Sequence, residues 1–532
     1  MEHRAGGWKS EVGSQRTETE VSRQTAEDRR QSISKFEIRK FMAPNLLQPV
    51  TAQRSDLMTA KPYDSSLYKK RFALCSMRHA FLIVLSWSFL GLTTISGCGM
   101  PRHLTATVDE MSARGEFSQA LSYVKEHEED YQKRNRLLFY LDEGMLAFSL
   151  GDFEKAVRAF TAAEQLMEEL YTISISGEAT TFLISDNTAP YRGEDFESVM
   201  VNLFLALSYA NLSKIEDALV EARKIDSKLA AINLQYDEEQ QNAYREDPFA
   251  RMLIGIFYEM GQTRADLNDA YISYYLAING YDSEYQRFGL GVPAILAENA
   301  LSTAEFMGAG EQDKLRERFP SQPFPSLLDR KARAEVYGLH LNGRAPVKEA
   351  ATIVFPMPDG FLLKLAFPTY KKVDKRIVGG RLYAKAPEED TAIHSTFTVA
   401  EPIGKIAKEN LADRKGRIVA KTIARVTAKY LAVKAAQRAA KEAGGRDYGA
   451  LAGFLTGITG NILAFASEEP DLRSWRTLPA EILISKLALE PGTYQFWAEC
   501  YDASGIVVRK VELGDRDLKA GDRVILQFRT TE

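Results

Sequence analysis

The sequence predicts an α+β protein in which a helical repeat region, 98–318, precedes a small antiparallel β-sandwich, 335–532, with a helical insertion at 403–467. Three observations predict this arrangement. Small and large apolar residues recur at helical spacing through the first region. Three prolines in "RERFPSQPFPSLLDRKAR" mark a linker. After it, short β-branched or aromatic runs alternate with Asp-Gly and Pro-Gly turns, which are strand and hairpin signals.

The first region contains a recurring pair of helices. In "YLDEGMLAFSLGDFEKAVRAFTAAEQL", Gly144 and Ala156 let two helices approach, and Phe160 fills the neighbouring groove. Three weaker copies are "GEFSQALSYV", "LALSYANLSKIEDALVEARKI" and "LIGIFYEMGQTRADLNDAYISYYLAI". The pattern resembles the tetratricopeptide (TPR) repeat. The resemblance implies an α-solenoid that binds a protein partner in its concave face.

One segment is too long for a TPR turn. It reads "ISGEATTFLISDNTAPYRGEDFESVMVN" and separates the second and third copies in chain order, which begin with "YLDEG" and "LALSY". It has two interpretations. The segment is an ordered loop that covers the concave face and ends with acidic residues at a helix N-terminus. Alternatively, it binds a partner through Asn187, Tyr191 and Glu194.

The insertion in the β-rich region is basic and then glycine-rich. Residues 403–442 carry eleven Lys and Arg against three Asp and Glu, and an apolar stripe indicates an amphipathic helix. Glycines follow at intervals of four, and no charge occurs over 448–467. These glycines are Gly445, Gly449, Gly453 and Gly457. The two helices pack on each other and on the sandwich or solenoid, or the uncharged stretch enters a membrane while the basic helix meets anionic head groups.

A tryptophan with two basic neighbours follows the insertion, in "EEPDLRSWRTLPAEI". Arg473, Trp475 and Arg476 form a binding patch for a partner in one interpretation. In the other, Trp475 holds a loop that crosses the structure on the core, since a large indole with one polar atom favours such positions.

The N-terminal residues predict a compartment. Residues 1–76 carry 14 Lys and Arg against 9 Asp and Glu and lack apolar periodicity, so we expect a disordered leader or a segment upstream of a start at Met58 or Met77. Residues 77–97 have the layout of a secretory signal peptide. The tetrapeptide ending in Cys98, "ISGC", resembles the lipobox of bacterial lipoproteins. That resemblance implies cleavage before Cys98, a lipid on Cys98, and the periplasmic face of the outer membrane. The alternatives are an uncut inner-membrane signal anchor or a buried core helix.

Composition and motifs disfavour several classes of function. Residues 98–532 have a net charge of about −10, unlike a general nucleic-acid binder. After the proposed cleavage, acylated Cys98 and Cys500 remain, so no disulfide framework is expected. The six histidines have no metal-ligand spacing, and no catalytic or cofactor-binding motif occurs. We therefore expect no enzyme, no metal and no cofactor.

Together, the lipobox-like site, the TPR-like helices and the β-rich end containing "LRSWRTLPAEI" resemble an uncharacterised family of Gram-negative envelope lipoproteins. The resemblance implies a lipid-anchored periplasmic scaffold or adaptor that binds protein partners in cell-envelope assembly. A membrane-active or transport-related component that uses 445–467 is the second hypothesis. An envelope enzyme with a site that no motif reveals is the third.

Overall fold

A computed structural model describes residues 102–181, 186–234, 244–261 and 263–532, which belong to one compact unit. The predicted leader, the signal peptide and Cys98 lie outside the described residues. The described part combines many helices with small sheets, so the predicted α+β class is confirmed.

Eleven helices precede the first strand in the described part of the chain, and consecutive helices pack as pairs, such as α3 with α4, α5 with α6 and α7 with α8. These helices are α1 Arg102–Ala113, α2 Phe117–Glu126, α3 Arg136–Ser149, α4 Phe153–Thr181, α5 Asp195–Asn211, α6 Ile215–Asn233, α7 Pro248–Gly261, α8 Arg264–Ser283, α9 Ala294–Met307, α10 Ala309–Arg318 and α11 Leu327–Ala332.

The same close contact recurs in two of these pairs. A Cβ atom on Gly144 would lie 2.5 Å from the ring of Phe160, and one on Gly255 would lie 2.3 Å from the ring of Tyr274. Both distances are shorter than any van der Waals contact. The missing side chain therefore lets an aromatic ring of the second helix rest on the backbone of the first, as the sequence predicts for Gly144.

Ten strands follow, in two four-stranded sheets and one two-stranded ribbon. They are β1 Ala334–Asn342, β2 Val347–Pro356, β3 Leu362–Lys371, β4 Gly379–Lys385, β5 Ile393–Thr396, β6 Thr398–Glu401, β7 Glu481–Leu489, β8 Gly492–Tyr501, β9 Val507–Leu518 and β10 Arg523–Thr530. The first sheet has the order β10-β1-β7-β6, and the second has the order β5-β4-β8-β9. The insertion forms α12 Ile403–Ala443 and α13 Gly445–Ala466 between β6 and β7.

The expectation of an entirely antiparallel sandwich is wrong in one place, because β1 and β10 pair in parallel. Their register aligns Glu335 with Arg523. All nine residues of β1 are buried. Tyr337 and Leu339 belong to the core shared with the helices, whereas Val336 belongs to the core shared with the second sheet. The first sheet, which contains β1, is therefore the layer between the helices and the second sheet, since alternate side chains point to opposite faces.

A cluster of buried charges joins the first sheet to the helices. Arg330 Nη2 on α11 lies 2.7 Å from Glu259 on α7 and 2.6 Å from Glu335 on β1. Lys486 Nζ on β7 is 2.7 Å from Glu335, and Arg523 Nη2 on β10 is 3.1 Å from Glu259. Burial alone would raise the pKa of Glu335, but Arg330 and Lys486 hold it well below its usual range. Removal of a single member would therefore leave an opposite charge buried without full compensation.

Candidate functional site

The segment at 468–480, here the crossing segment, runs from α13 to β7 across the helices. Trp475 is only 1% exposed, and its ring lies edge-on 5.7 Å from Phe160 and 6.0 Å from Phe204. The indole Nε1 donates to Thr477 Oγ1 at 2.9 Å, and Thr477 donates to Asp142 at 2.9 Å. Trp475 thus holds the crossing segment on α3, α4 and α5.

The residues predicted as partner-binding candidates in two distant stretches contact each other. Asn187 Nδ2 donates to the Pro470 carbonyl at 3.1 Å, across 283 residues of sequence. The Arg473 guanidinium lies over the Tyr191 ring, 5.3 Å from its centroid. Arg473 Nη1 also donates to the Ala189 carbonyl at 3.0 Å. The structure therefore brings both candidate sets together in one intramolecular junction.

Two of the candidate residues, Glu194 and Arg476, form ion pairs with other elements of the fold. Glu194 pairs with Lys348 on β2 and with Arg414 on α12. Arg476 pairs with Asp109 on α1. Because Asn187, Tyr191, Glu194, Arg473 and Trp475 are all buried, a partner reaches them only if the crossing segment detaches.

Sequence reasoning missed the central residue of the junction, Glu197. Its Oε1 accepts from the Trp475 backbone N–H at 2.7 Å, and its Oε2 accepts from Tyr191 Oη at 2.6 Å and from the Glu194 N–H at 3.1 Å. Its position three residues after Glu194, at the start of α5, is the only signal in the sequence, since glutamate there commonly caps a helix.

The junction makes stability depend on pH. Burial raises the pKa of Asp142 to about 7 and that of Glu197 to about 7, against hydrogen bonds that lower both. The folded protein then keeps protons that unfolded carboxyls release near pH 4, so this stabilisation is complete below pH 4 and is lost as the pH rises through 7. We expect the free energy of unfolding to fall by about 3 kcal/mol or more between pH 5 and pH 8. Urea denaturation at each pH measures it.

Asp142→Asn supplies the comparison, because the amide cannot ionise. Its stability should fall less steeply over the same pH range, whereas Asp313→Asn, at an exposed position, should keep the wild-type slope. A wild-type stability that is flat or rises from pH 5 to pH 8 would contradict the buried neutral carboxyls.

The second prominent feature is a projection, here the arm, formed by residues 347–371 and 412–466. It contains β2, β3, most of α12 and all of α13. Asp359, in the turn between β2 and β3, accepts from Tyr430 Oη at 2.9 Å and pairs with Lys434 Nζ at 2.7 Å. Phe361 packs edge-on against the Tyr430 ring at 5.0 Å. The ribbon is thereby fixed along α12.

The predicted glycine stripe faces α12. A Cβ atom on Gly449 would lie 2.2 Å from the Lys441 carbonyl oxygen, and one on Gly453 would lie 3.1 Å from the Gln437 carbonyl oxygen. Gly457 continues the contact, against the side chain of Gln437. Gly445 has no neighbour within 4 Å and instead supplies a φ of +62° between the helices. Gly460, which the sequence interpretation omitted, touches Val433.

Because the glycines occupy the face toward α12, the large apolar residues of α13 face away from it. Six of them, exposed between 40% and 60%, are Tyr448, Leu451, Phe454, Leu455, Ile458 and Ile462. Of the 25 large apolar side chains that are exposed in the described part of the chain, 12 lie in the arm. The helix at 448–466 is long and apolar enough to cross a membrane, and only 11% of its apolar stretch is buried inside the protein.

The tip of the arm is basic. Arg438, Lys441 and Arg446 are exposed there, and with Glu442 and Asp447 in the same stretch residues 438–447 carry a net charge of +1. At the base, by contrast, Arg425 and Lys429 are both paired with buried Glu468. The arm therefore combines an apolar face with cations at its far end.

The described residues contain no group of three or more His, Cys, Asp or Glu placed to hold a metal ion. Buried carboxyls do meet tyrosines, since Tyr285 Oη donates to Glu401 at 2.7 Å and Tyr244 Oη donates to Asp247 at 2.8 Å. Both carboxyls are completely buried, so no substrate reaches them in this conformation. A scan against protein-family models found no match, and a search of curated proteins found no similar sequence. Function is therefore inferred from the junction and the arm.

Proposed function

We propose that the protein is a lipid-anchored, non-enzymatic scaffold of the bacterial envelope that also contacts a lipid surface through its arm. The observation that supports the lipid contact is the exposed apolar face of α13. The anchor is a lipid on Cys98, proposed from the lipobox-like tetrapeptide, with the periplasmic face of the outer membrane as the location. Attachment by an uncut signal anchor in the inner membrane is the alternative.

The charges at the tip of the arm favour one orientation on the lipid. From Tyr448 to Ile462 the apolar face extends about 21 Å along the helix. Moving Arg438, Lys441 and Arg446 through the hydrocarbon core would cost about 3 kcal/mol each, whereas they interact favourably with anionic head groups. We therefore infer that the arm lies along the interface, with α13 toward the acyl chains, and does not cross the bilayer.

A TPR-like solenoid remains part of the proposal, and the recurring glycine–aromatic contacts support it. The first helix of several pairs already contacts other parts of the same chain. Glu197 on α5 accepts from the backbone of Trp475, Glu259 on α7 pairs with Arg523, and Asn299 on α9 accepts from Lys486. A protein partner in the concave face would have to displace these contacts. We therefore propose that the solenoid mainly supports the first sheet and the crossing segment, which follows the arm in the chain.

A fluorescent probe tests the lipid contact. The full chain carrying Leu451→Cys is labelled with an environment-sensitive fluorophore and reconstituted in vesicles of phosphatidylethanolamine and phosphatidylglycerol. Native Cys500 is buried and should label poorly. We expect strong quenching by lipids that carry nitroxide acyl chains and weak quenching by iodide, because the face of α13 lies among acyl chains. A probe at Ser504, in the exposed β8–β9 turn, should show the opposite pattern.

The anchor and the arm are separated by Cys98→Ala. In that variant the mass increase from lipid attachment should disappear, while the probe at position 451 should still report lipid. A probe at 451 that behaves like the one at 504 in both proteins would exclude the arm contact. A wild-type chain without lipid at Cys98 would exclude the anchor alone.

A further inference from the structure

Two arginines, Arg344 and Arg476, lie close enough to Asp109 to act on its carboxylate, and Arg529 lies close to Arg344. Asp109 lies on α1, Arg344 lies between β1 and β2, Arg476 lies in the crossing segment, and Arg529 lies on β10. Arg476 forms an ion pair with Asp109. Arg529 Nη2 donates to the carbonyls of Gly343, at 3.3 Å, and of Thr477, at 3.0 Å, which adjoin Arg344 and Arg476 in sequence. Four separate parts of the fold therefore build the cluster.

The cluster has more positive charge and more N–H donors than the described protein groups satisfy. Nε of Arg344, Nε of Arg476, and both Nε and Nη1 of Arg529 are buried without a hydrogen-bond partner in the described part of the chain. Burial and the charge of Arg344 lower the pKa of Arg529 to about 9. Three guanidinium groups thus lie near one another, two of them near the Asp109 carboxylate, and buried donors without acceptors are costly.

We propose that this cluster, Arg344, Arg476 and Arg529, is a binding site for a phosphate group. Guanidinium forks bind phosphate oxygens in pairs, with hydrogen bonds stronger than those between neutral groups. The three positive charges exceed the charge of Asp109 and the charge that nearby Asp142 carries when it is ionised, and a phosphate anion neutralises the excess. The Arg476 side chain is 26% exposed, and Arg344 and Arg529 are partly exposed, so an anion reaches the cluster from solvent. Since the unpaired nitrogens touch no solvent, Arg344 or Arg476 rotates to admit it.

Calorimetric titration of the full chain in detergent with inorganic phosphate, at constant ionic strength in chloride, tests the site. We expect saturable binding of one phosphate per chain. Arg344→Gln should weaken the affinity roughly tenfold or more, because one charge-assisted donor pair is lost. Asp109→Asn should strengthen it, because the competing negative charge is removed. Arg264→Gln, at an exposed arginine on α8, is the matched control and should leave the affinity unchanged.

A lipid headgroup offers the same phosphate chemistry as a dissolved phosphate. A second experiment compares thermal unfolding of the reconstituted chain in phosphatidylcholine vesicles with and without phosphatidic acid. Stabilisation by phosphatidic acid that Arg344→Gln removes and Arg264→Gln keeps assigns the site to a headgroup, and saturable binding of inorganic phosphate assigns it to a soluble ligand. Binding of neither, or equal losses in the two arginine variants, overturns the proposal. Cooperative unfolding of Arg344→Gln without phosphate confirms that the variant is folded.

Discussion

Replacing Trp475 by alanine should lower the free energy of unfolding by about 3–5 kcal/mol. The substitution removes a fully buried indole from between Phe160 and Phe204 and leaves a cavity at the centre of the junction. It also removes the N–H that donates to Thr477. Urea denaturation followed by circular dichroism measures the change.

Trp497→Ala is the matched control for Trp475→Ala. Trp497 is only partly buried and stacks on Tyr383 of the neighbouring strand at 5.1 Å. Loss of one cross-strand pair at a sheet surface should cost about 1 kcal/mol. Equal losses for the two tryptophans would show that the crossing segment does not depend on Trp475 for its attachment.

Replacing Arg330 by methionine should destabilise the protein by about 3–5 kcal/mol. The change keeps a long side chain but leaves Glu259 and Glu335 buried beside each other with less positive charge. Arg523 and Lys486 compensate them only in part. Chemical denaturation at neutral pH gives the size of the effect.

Two further variants distinguish charge from packing. The double variant Arg330→Met and Glu335→Met leaves Arg523 with Glu259 and Lys486 with Glu298, so it should recover part of the loss. Arg333→Met, at an arginine half-exposed beside Glu490, should cost less than about 1 kcal/mol. A double variant that is less stable than Arg330→Met alone would contradict a dominant role for unpaired charge.

Local features of the fold follow from the sequence because they depend on local spacing. Apolar periodicity and Gly144 predict the helix pairs, and Asp-Gly turns predict the β2–β3 ribbon. The sequence interpretation omitted β1, because "AEVYGLHLN" is apolar toward two different cores and does not alternate with polar residues. The run "HSTFTVA" has the pattern of a single strand, whereas the chain passes there from β5 in one sheet to β6 in the other.

The sequence predicts several residues of the candidate site but not how those residues contact one another. The sequence predicts Tyr191 and Trp475 as candidates for partner binding, yet nothing in their spacing indicates that their two segments meet in the fold. Glu197 looks like any surface glutamate on a helix until its three donors are known. On α13, four-residue spacing predicts that the glycines share a face, but only contact with α12 decides that Leu451 and Ile458 point outward.

The pairing of β1 with β10 also sets the order in which the chain can fold. Ribosomes make the helices and β1 long before Arg523, which is aligned with Glu335 in the finished sheet. Until Arg523 is synthesised, Glu259 and Glu335 lack one of the cations that pair with them, and β1 lacks its parallel neighbour. Contacts between such distant residues form slowly, and the exposed surfaces favour aggregation in the meantime. A chain of this topology therefore completes its first sheet only after β10 has been synthesised.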